Sequence, residues 1–204
     1  DIVVPMMKIY CNCGNEIETD FPELYNTVEQ PDIYRQILDG TFLSVRCKNC
    51  DTLLKPEIPV KITDPERKIE LLFRPDNERL QFLSGKLDLP AADRVVFGYP
   101  ELAEMVIILM HDLDDRVVEI IKYFYIKKSG PGADISVFLD TVSDDKLRFR
   151  IHGLRSDEIG LVDIGKDFYK KIQNDLKEIL KKEDLHEVLA PPYVSINKVY
   201  FGEE

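Results

Sequence analysis

The sequence predicts an α+β protein in which most strands are antiparallel and several helices stand apart from them. Three observations predict it. Short alternating segments come in neighbouring pairs joined by turn residues, which is how antiparallel hairpins are written. Helical periodicity falls in separate runs and does not alternate strand by strand, as a parallel sheet would require. The four cysteines fall into two close pairs, Cys11/Cys13 and Cys47/Cys50, so the amino-terminal third carries its own device for holding turns together.

The elements follow in order. "KIYCNC" and "NEIETDF" alternate as short strands around Gly14. "PDIYRQILDG" reads as a helix, with Pro31 suited to a first helical position, Ile33/Ile37 and Tyr34/Leu38 at helical spacing, and Gly40 as its stop. "TFLSVRC" returns as a strand and carries Cys47 into a turn. "LLKPEIPVKITD" and "RKIELLFRP" are two strands joined by Asp64-Pro65-Glu66-Arg67, and Pro56 and Pro59 push the first of them toward a sheet edge. "PDNERLQFLSG" is a short helix capped near Asp76 or Asn77 and stopped at Gly85, and "DRVVFGYP" is another strand.

Two helices follow, "PELAEMVIILMHDL" and "DDRVVEIIKYFYIKK". In the second, Asp114 and Asp115 sit where helix amides favour anions, Val117, Ile120, Ile121 and Phe124 form an apolar stripe, and Lys127 and Lys128 close the end that favours cations. "SGPGAD" (Ser129 to Asp134) is the clearest boundary signal. It divides the chain into a domain over 7–128 and a carboxy-terminal extension over 129–204, expected to pack on the first. The extension reads as a hairpin, "ISVFLDTV" and "KLRFRIHG" around Ser143-Asp144-Asp145, then a helix "KDFYKKIQNDLKEILKKED" whose buried face is Phe168, Ile172, Leu176, Ile179 and Leu180. "YVSINKVYF" alternates as a last strand, whose edge could pair with a second copy and make a homo-oligomer.

Bulk composition narrows the function. With 38 acidic against 27 basic residues the formal net charge is −11, and the basic residues are interleaved with acids. Phosphate binding draws its free energy from counterions released to Lys and Arg clusters, so neither nucleic acid nor an anionic membrane is the expected partner. The longest apolar run, Met105 to Met110, is too short to span a bilayer, and no tripartite leader is written at the start. Asp1 is no initiator, which leaves Met6 or Met7 as candidate starts. The expected location is the cytoplasm, and the expected partner is an unidentified protein or small ligand.

The cysteines carry the one chemical signal. Four thiolates around a zinc ion at about 2.3 Å place their sulfurs roughly 3.8 Å apart, so each pair must converge locally. Cys47-Lys48-Asn49-Cys50 does so in a turn, while Cys11 and Cys13 share a face as residues i and i+2 of an extended strand, with Gly14 free to turn sharply. The 33 residues between Cys13 and Cys47 exceed the usual zinc-ribbon spacing and must hold an element of their own, a role the Pro31–Gly40 helix fits. A zinc-ribbon-like amino-terminal part with one Zn2+ on Cys11, Cys13, Cys47 and Cys50 is the favoured reading. Two disulfides, unligated thiols or another metal are the alternatives. A redox Cys-x-x-C is disfavoured because Cys50 leads into a strand, not a helix.

The cysteine knuckle, the helix ending "ILDG", the strand into "CKNC", and "PEIPVKITDPERKIELLF" together resemble the CpXC family. "RVVFGYPELAEMVIILMHDLDDRVVEIIKYF" resembles its later signatures, so the likeness covers roughly residues 8–128. The family's first knuckle is Cys-Pro-x-Cys, and this chain has the shorter Cys11-Asn12-Cys13, with Lys48 where the second knuckle often has proline. The resemblance implies a zinc-binding domain and supplies no catalytic residues.

Other clusters are weaker. "HDLDD" (His111 to Asp115) could be part of a metal- or carboxylate-dependent enzyme site, with His111, Asp112 and Asp115 as its candidates, although helix capping accounts for the aspartates. His152 and His186 read as surface or structural residues, and "FRPDNERLQF" lacks the acid–spacer–lysine strand of a nuclease. No phosphate-binding glycine loop or Gly-x-Ser-x-Gly elbow occurs. A zinc-binding interaction module is therefore the leading expectation, and an enzyme the alternative.

Overall fold

The computed structural model describes residues 6–129, 135–155 and 158–201. Its first elements are β1 (Met7–Tyr10) and β2 (Glu16–Thr19), an antiparallel hairpin turning at Gly14, whose φ of 85° is a left-handed conformation that glycine adopts without strain. β3 (Leu24–Asn26) leads to α1 (Ile33–Asp39), which buries Ile33 and Ile37 and stops at Gly40, φ 79°, where Thr41 N–H reaches back to Gln36 O (2.9 Å). A second small hairpin, β4 (Val45–Arg46) and β5 (Leu53–Leu54), holds the Cys47–Cys50 turn at its tip.

β6 (Val60–Asp64) and β7 (Ile69–Arg74) form the predicted hairpin, and its turn is fixed by Asp64. The buried Asp64 carboxylate accepts the backbone N–H groups of Glu66 and Arg67 at 3.1 and 3.0 Å, and also binds Tyr34 and the Arg67 guanidinium. A 3-10 turn (Asp76–Glu78), α2 (Arg79–Leu83) and β8 (Arg94–Phe97) follow. The four-stranded sheet runs β3-β6-β7-β8, with β3 and β8 parallel to their neighbours. Here β6 is interior, which corrects the edge expected from Pro56 and Pro59. Both prolines precede the ladder, and β3 supplies the missing neighbour.

Both faces of this sheet are covered. Tyr25, Val60, Ile62, Leu71, Phe73 and Val96 face the main core, together with α1 and α3 (Gly98–Met110). Leu72, Val95 and Phe97 face a second, smaller core built on Tyr193 and Phe82. Two covered faces explain why "ELLF" and "RVVF" read as unbroken apolar runs. α4 (Asp115–Ser129) buries Val117, Ile120 and Ile121 completely, whereas Phe124, expected in the same stripe, is 42% exposed.

The boundary residues Gly130 to Asp134 lie outside the described residues. β9 (Ser136–Val142), β10 (Lys146–Arg155) and β11 (Glu158–Gly165) make an antiparallel sheet in the order β11-β10-β9. β9 packs on α3 and α4, and Val137, Leu139, Leu147, Phe149 and Ile151 join the main core. α5 (Lys166–Ile179) packs on α4 and beside β11, and buries Tyr169, Ile172 and Leu176 in the main core. Phe168, expected on that buried face, is 47% exposed, one position out of phase with the inward Tyr169.

α6 (Glu183–Val188) and α7 (Asn197–Phe201) end the described chain. The last strand expected at "YVSINKVYF" does not form, and with it goes the strand edge offered for pairing copies. Residues 193–196 are all buried, and tertiary partners satisfy their surroundings: Val95 N–H donates to Pro192 O (2.9 Å), Ser195 N–H to Val188 O (3.2 Å), and Ile196 N–H to the Glu119 carboxylate (2.8 Å).

A buried ionic network ties these layers together. Lys122 Nζ lies 2.7 Å from Glu104 Oε2 and 2.6 Å from Glu119 Oε1. The remaining oxygens accept backbone N–H groups, Leu139 at Glu104 (2.6 Å) and Ile196 at Glu119. Glu101 accepts Phe97 N–H, Arg79, the Tyr193 hydroxyl and Asn197. Desolvation raises both Glu104 and Glu119, the latter up to about 7, against the pull of Lys122. Among the described residues no helix is long and apolar enough to cross a membrane.

Candidate metal centre

Two hairpin tips build the site. In the first, Gly14 N–H donates to Cys11 O and Cys11 N–H to Asn15 O, both at 2.9 Å, so Cys11–Gly14 is a closed turn. This corrects the extended-strand geometry expected for Cys11 and Cys13. β1 ends at Tyr10, the Gly14 N–H to Cys11 O bond closes the turn that carries Cys13 back toward Cys11, and Gly14 at positive φ then leads the chain toward β2. In the second tip, Asp51 N–H donates to Cys47 O and Cys47 N–H to Thr52 O, both at 2.8 Å, with Asp51 itself at φ 61°.

The tips bring the four sulfurs to within 4.8 Å of one another. Two of the contacts run between hairpins, Cys11 to Cys50 at 3.5 Å and Cys13 to Cys47 at 3.6 Å. A disulfide would need about 2.05 Å, and all four cysteines are free. The separations are instead those of sulfurs sharing one tetrahedral ion, roughly 3.8 Å. Cys11 and Cys47 are buried, Cys13 and Cys50 exposed. The residues therefore fit a metal ion, and the shortened first knuckle does not prevent its two sulfurs from joining the cluster.

Polar groups around the sulfurs differ from one to the next. Asn49 Nδ2 donates to Cys13 Sγ (3.5 Å), Asn15 Nδ2 to Cys47 Sγ (3.6 Å), and the Cys50 thiol to Thr52 Oγ1 (3.1 Å). The Asn49 amide and the Asn15 backbone N–H hold the Cys13 thiol down to about 6. The backbone N–H of Cys50 lowers Cys47 against its desolvation. At Cys11 the backbone N–H of Cys13 favours the thiolate, but burial and the neighbouring sulfurs outweigh it and push the thiol up to about 12. Four sulfur donors give the cluster the donor chemistry of a soft-metal site.

The second cluster considered from sequence is differently occupied. Asp115 is paired with the Arg94 guanidinium, and Asp114 with Arg116 (2.6 Å) while also accepting the Arg116 backbone N–H (3.0 Å). His111 caps the end of α3, and Asp112 adopts φ 50° in the connection to α4. Asp115 also borders a narrow cavity of about 20 Å³ beside Glu101, Glu104, Glu119, Lys122, Tyr193 and Ser195, room for about one water. Sequence reasoning passed over Asn15, Asn49 and the Glu104–Lys122–Glu119 group. The signal for the latter was present, since Glu101 and Glu104 sit one turn apart among the apolar residues of α3.

Comparison with known proteins agrees with this picture. The chain is similar to an uncharacterised protein of Treponema pallidum (strain Nichols), 24% identical over 218 residues that cover 96% of this chain and 99% of that one. No solved structure matches the chain. The family model described as CpXC protein matches residues 9–122. That stretch runs from the end of β1 to about the middle of α4 and exceeds half of the sequence, so the chain belongs to the CpXC family.

Proposed function

We propose that this chain is a cytoplasmic, zinc-stabilised binding or interaction module, in which Cys11, Cys13, Cys47 and Cys50 are the full ligand set of one Zn2+. The observation that carries the reading is the convergence of these four sulfurs from two separate hairpins. All-thiolate donors favour zinc over hard cations such as Mg2+ and Ca2+. Four protein ligands close the coordination sphere, which makes the site structural and leaves no position for a reacting water. When bound, the ion supplies folding free energy by tying two hairpin tips that belong to different sheets. Residues 7–128 then form the metal-holding unit, and 129–204 the extension packed on it. The partner is a protein, a small ligand or a second copy, and the charge of −11 disfavours nucleic acid.

Metal analysis of untagged protein expressed without added metal tests this. About one zinc per chain is expected, and Cys47→Ala should lose the metal and much of the stability, because ligation free energy is folding free energy. Near-zero metal, with disulfides found by mass spectrometry, would overturn the proposal.

A further inference from the structure

Two asparagines stand in a reciprocal arrangement at the sulfur cluster. Asn15 follows the first knuckle, yet its side-chain amide donates to Cys47 of the second, at 3.6 Å. Asn49 lies inside the second knuckle, and its amide donates to Cys13 of the first, at 3.5 Å. Both donors address the same sulfur pair, Cys13 and Cys47, themselves 3.6 Å apart. The hairpins share no strand pairing, β1-β2 and β4-β5 being separate sheets. Each amide therefore crosses from one hairpin to a ligand of the other.

From this geometry we infer that Asn15 and Asn49 are the positioning residues of the metal centre, holding Cys13 and Cys47 in place and stabilising their thiolate charge. The inference rests on the metal reading proposed above. A divalent ion on four thiolates carries a net charge of −2, in a chain that is itself at −11. Neutral N–H dipoles aimed at the sulfurs spread that charge without adding a mobile cation. They also orient the sulfurs before the ion arrives, as partners of metal ligands commonly do. Asn12, exposed in the same first knuckle, serves as the internal control.

The test uses the full chain with zinc and with Co2+ as a spectroscopic probe. In competition with a chromophoric chelator, Asn15→Ala/Asn49→Ala should bind zinc about 10–100-fold more weakly than wild type. Its sulfur-to-cobalt charge-transfer bands should move to longer wavelength, because sulfurs stripped of hydrogen-bond donors give up electrons more readily. Asn15→Asp and Asn49→Asp, equal in shape but lacking the donor N–H, should lose at least as much as the alanine variants. Asn12→Ala should keep wild-type affinity and bands. Wild-type competition curves and unmoved bands in the double variant, with wild type holding one zinc, would overturn this inference alone. Wild type holding no metal would instead remove the metal reading, and this inference with it. Should the double variant fold poorly by circular dichroism, the single variants carry the same spectral test.

Discussion

Replacing Lys122 with methionine leaves Glu104 and Glu119 facing each other across a site where all three side chains are only 5% exposed. Methionine keeps most of the volume, so the perturbation is electrostatic. Without the ammonium, both carboxyls must be held protonated in the folded state. Holding a carboxyl of ordinary pKa, about 4.3, in its neutral form at pH 7 costs about 3–4 kcal/mol. Glu119 already bears most of that cost in the native protein, since its pKa stands at about 7. The new cost is therefore that of Glu104, whose pKa desolvation already raises, and it is at most about 3–4 kcal/mol at pH 7, near the lower end of what removing one partner of a buried pair costs. At pH 5 the same arithmetic leaves about 1 kcal/mol. Urea unfolding of Lys122→Met and wild type, followed by circular dichroism at both pH values, reads the difference directly. Equal destabilisation at pH 5 and pH 7 would refute the electrostatic account and leave only packing. Adding Glu104→Gln and Glu119→Gln, which keep an acceptor for Leu139 N–H and Ile196 N–H, should restore most of the loss.

Glu119→Gln alone should flatten the pH profile. The folded carboxyl holds its proton up to about 7 and the unfolded one only to about 4.3, so wild-type stability falls as pH rises between them, by about 3–4 kcal/mol in total. Contributions common to both proteins cancel, so the difference between their urea midpoints reads Glu119; parallel profiles would refute the assignment. Tyr193→Phe removes the hydroxyl bonded at 2.8 Å to the Glu101 carboxylate and should cost about 1.5–3 kcal/mol in the same assay. Gly40→Ala forces a side chain into φ 79° and should cost about 1–2 kcal/mol of backbone strain, because the nearest obstacle, Lys55 Nζ at 3.3 Å, is a flexible tip that can move aside.

Linear order alone carries the local elements and the two cysteine pairs. Helix α1 is written in Ile33, Ile37 and Gly40, the β6–β7 hairpin in its Asp64–Arg67 turn, and each cysteine knuckle in the close spacing of its two thiols. Each of these depends on neighbours within a few residues, which the linear order preserves. The remaining features come from contacts between segments far apart in the chain. "YVSINKVYF" alternates as a strand does, but residues 193–196 are buried, and the backbone N–H groups of Ser195 and Ile196 go to Val188 O and the Glu119 carboxylate and not to a ladder. β11 escaped notice because Ile159 and Leu161 point outward and its inward face includes Gly160, an inversion of the usual pattern that only the register with β10 explains. Parallel partners β3 and β8, the interior place of β6, and the meeting of Glu104, Lys122 and Glu119 all arise from contacts between distant segments. A side chain's spacing along the chain records which neighbours it has there, whereas the free energy of a buried charge depends on what surrounds it in space.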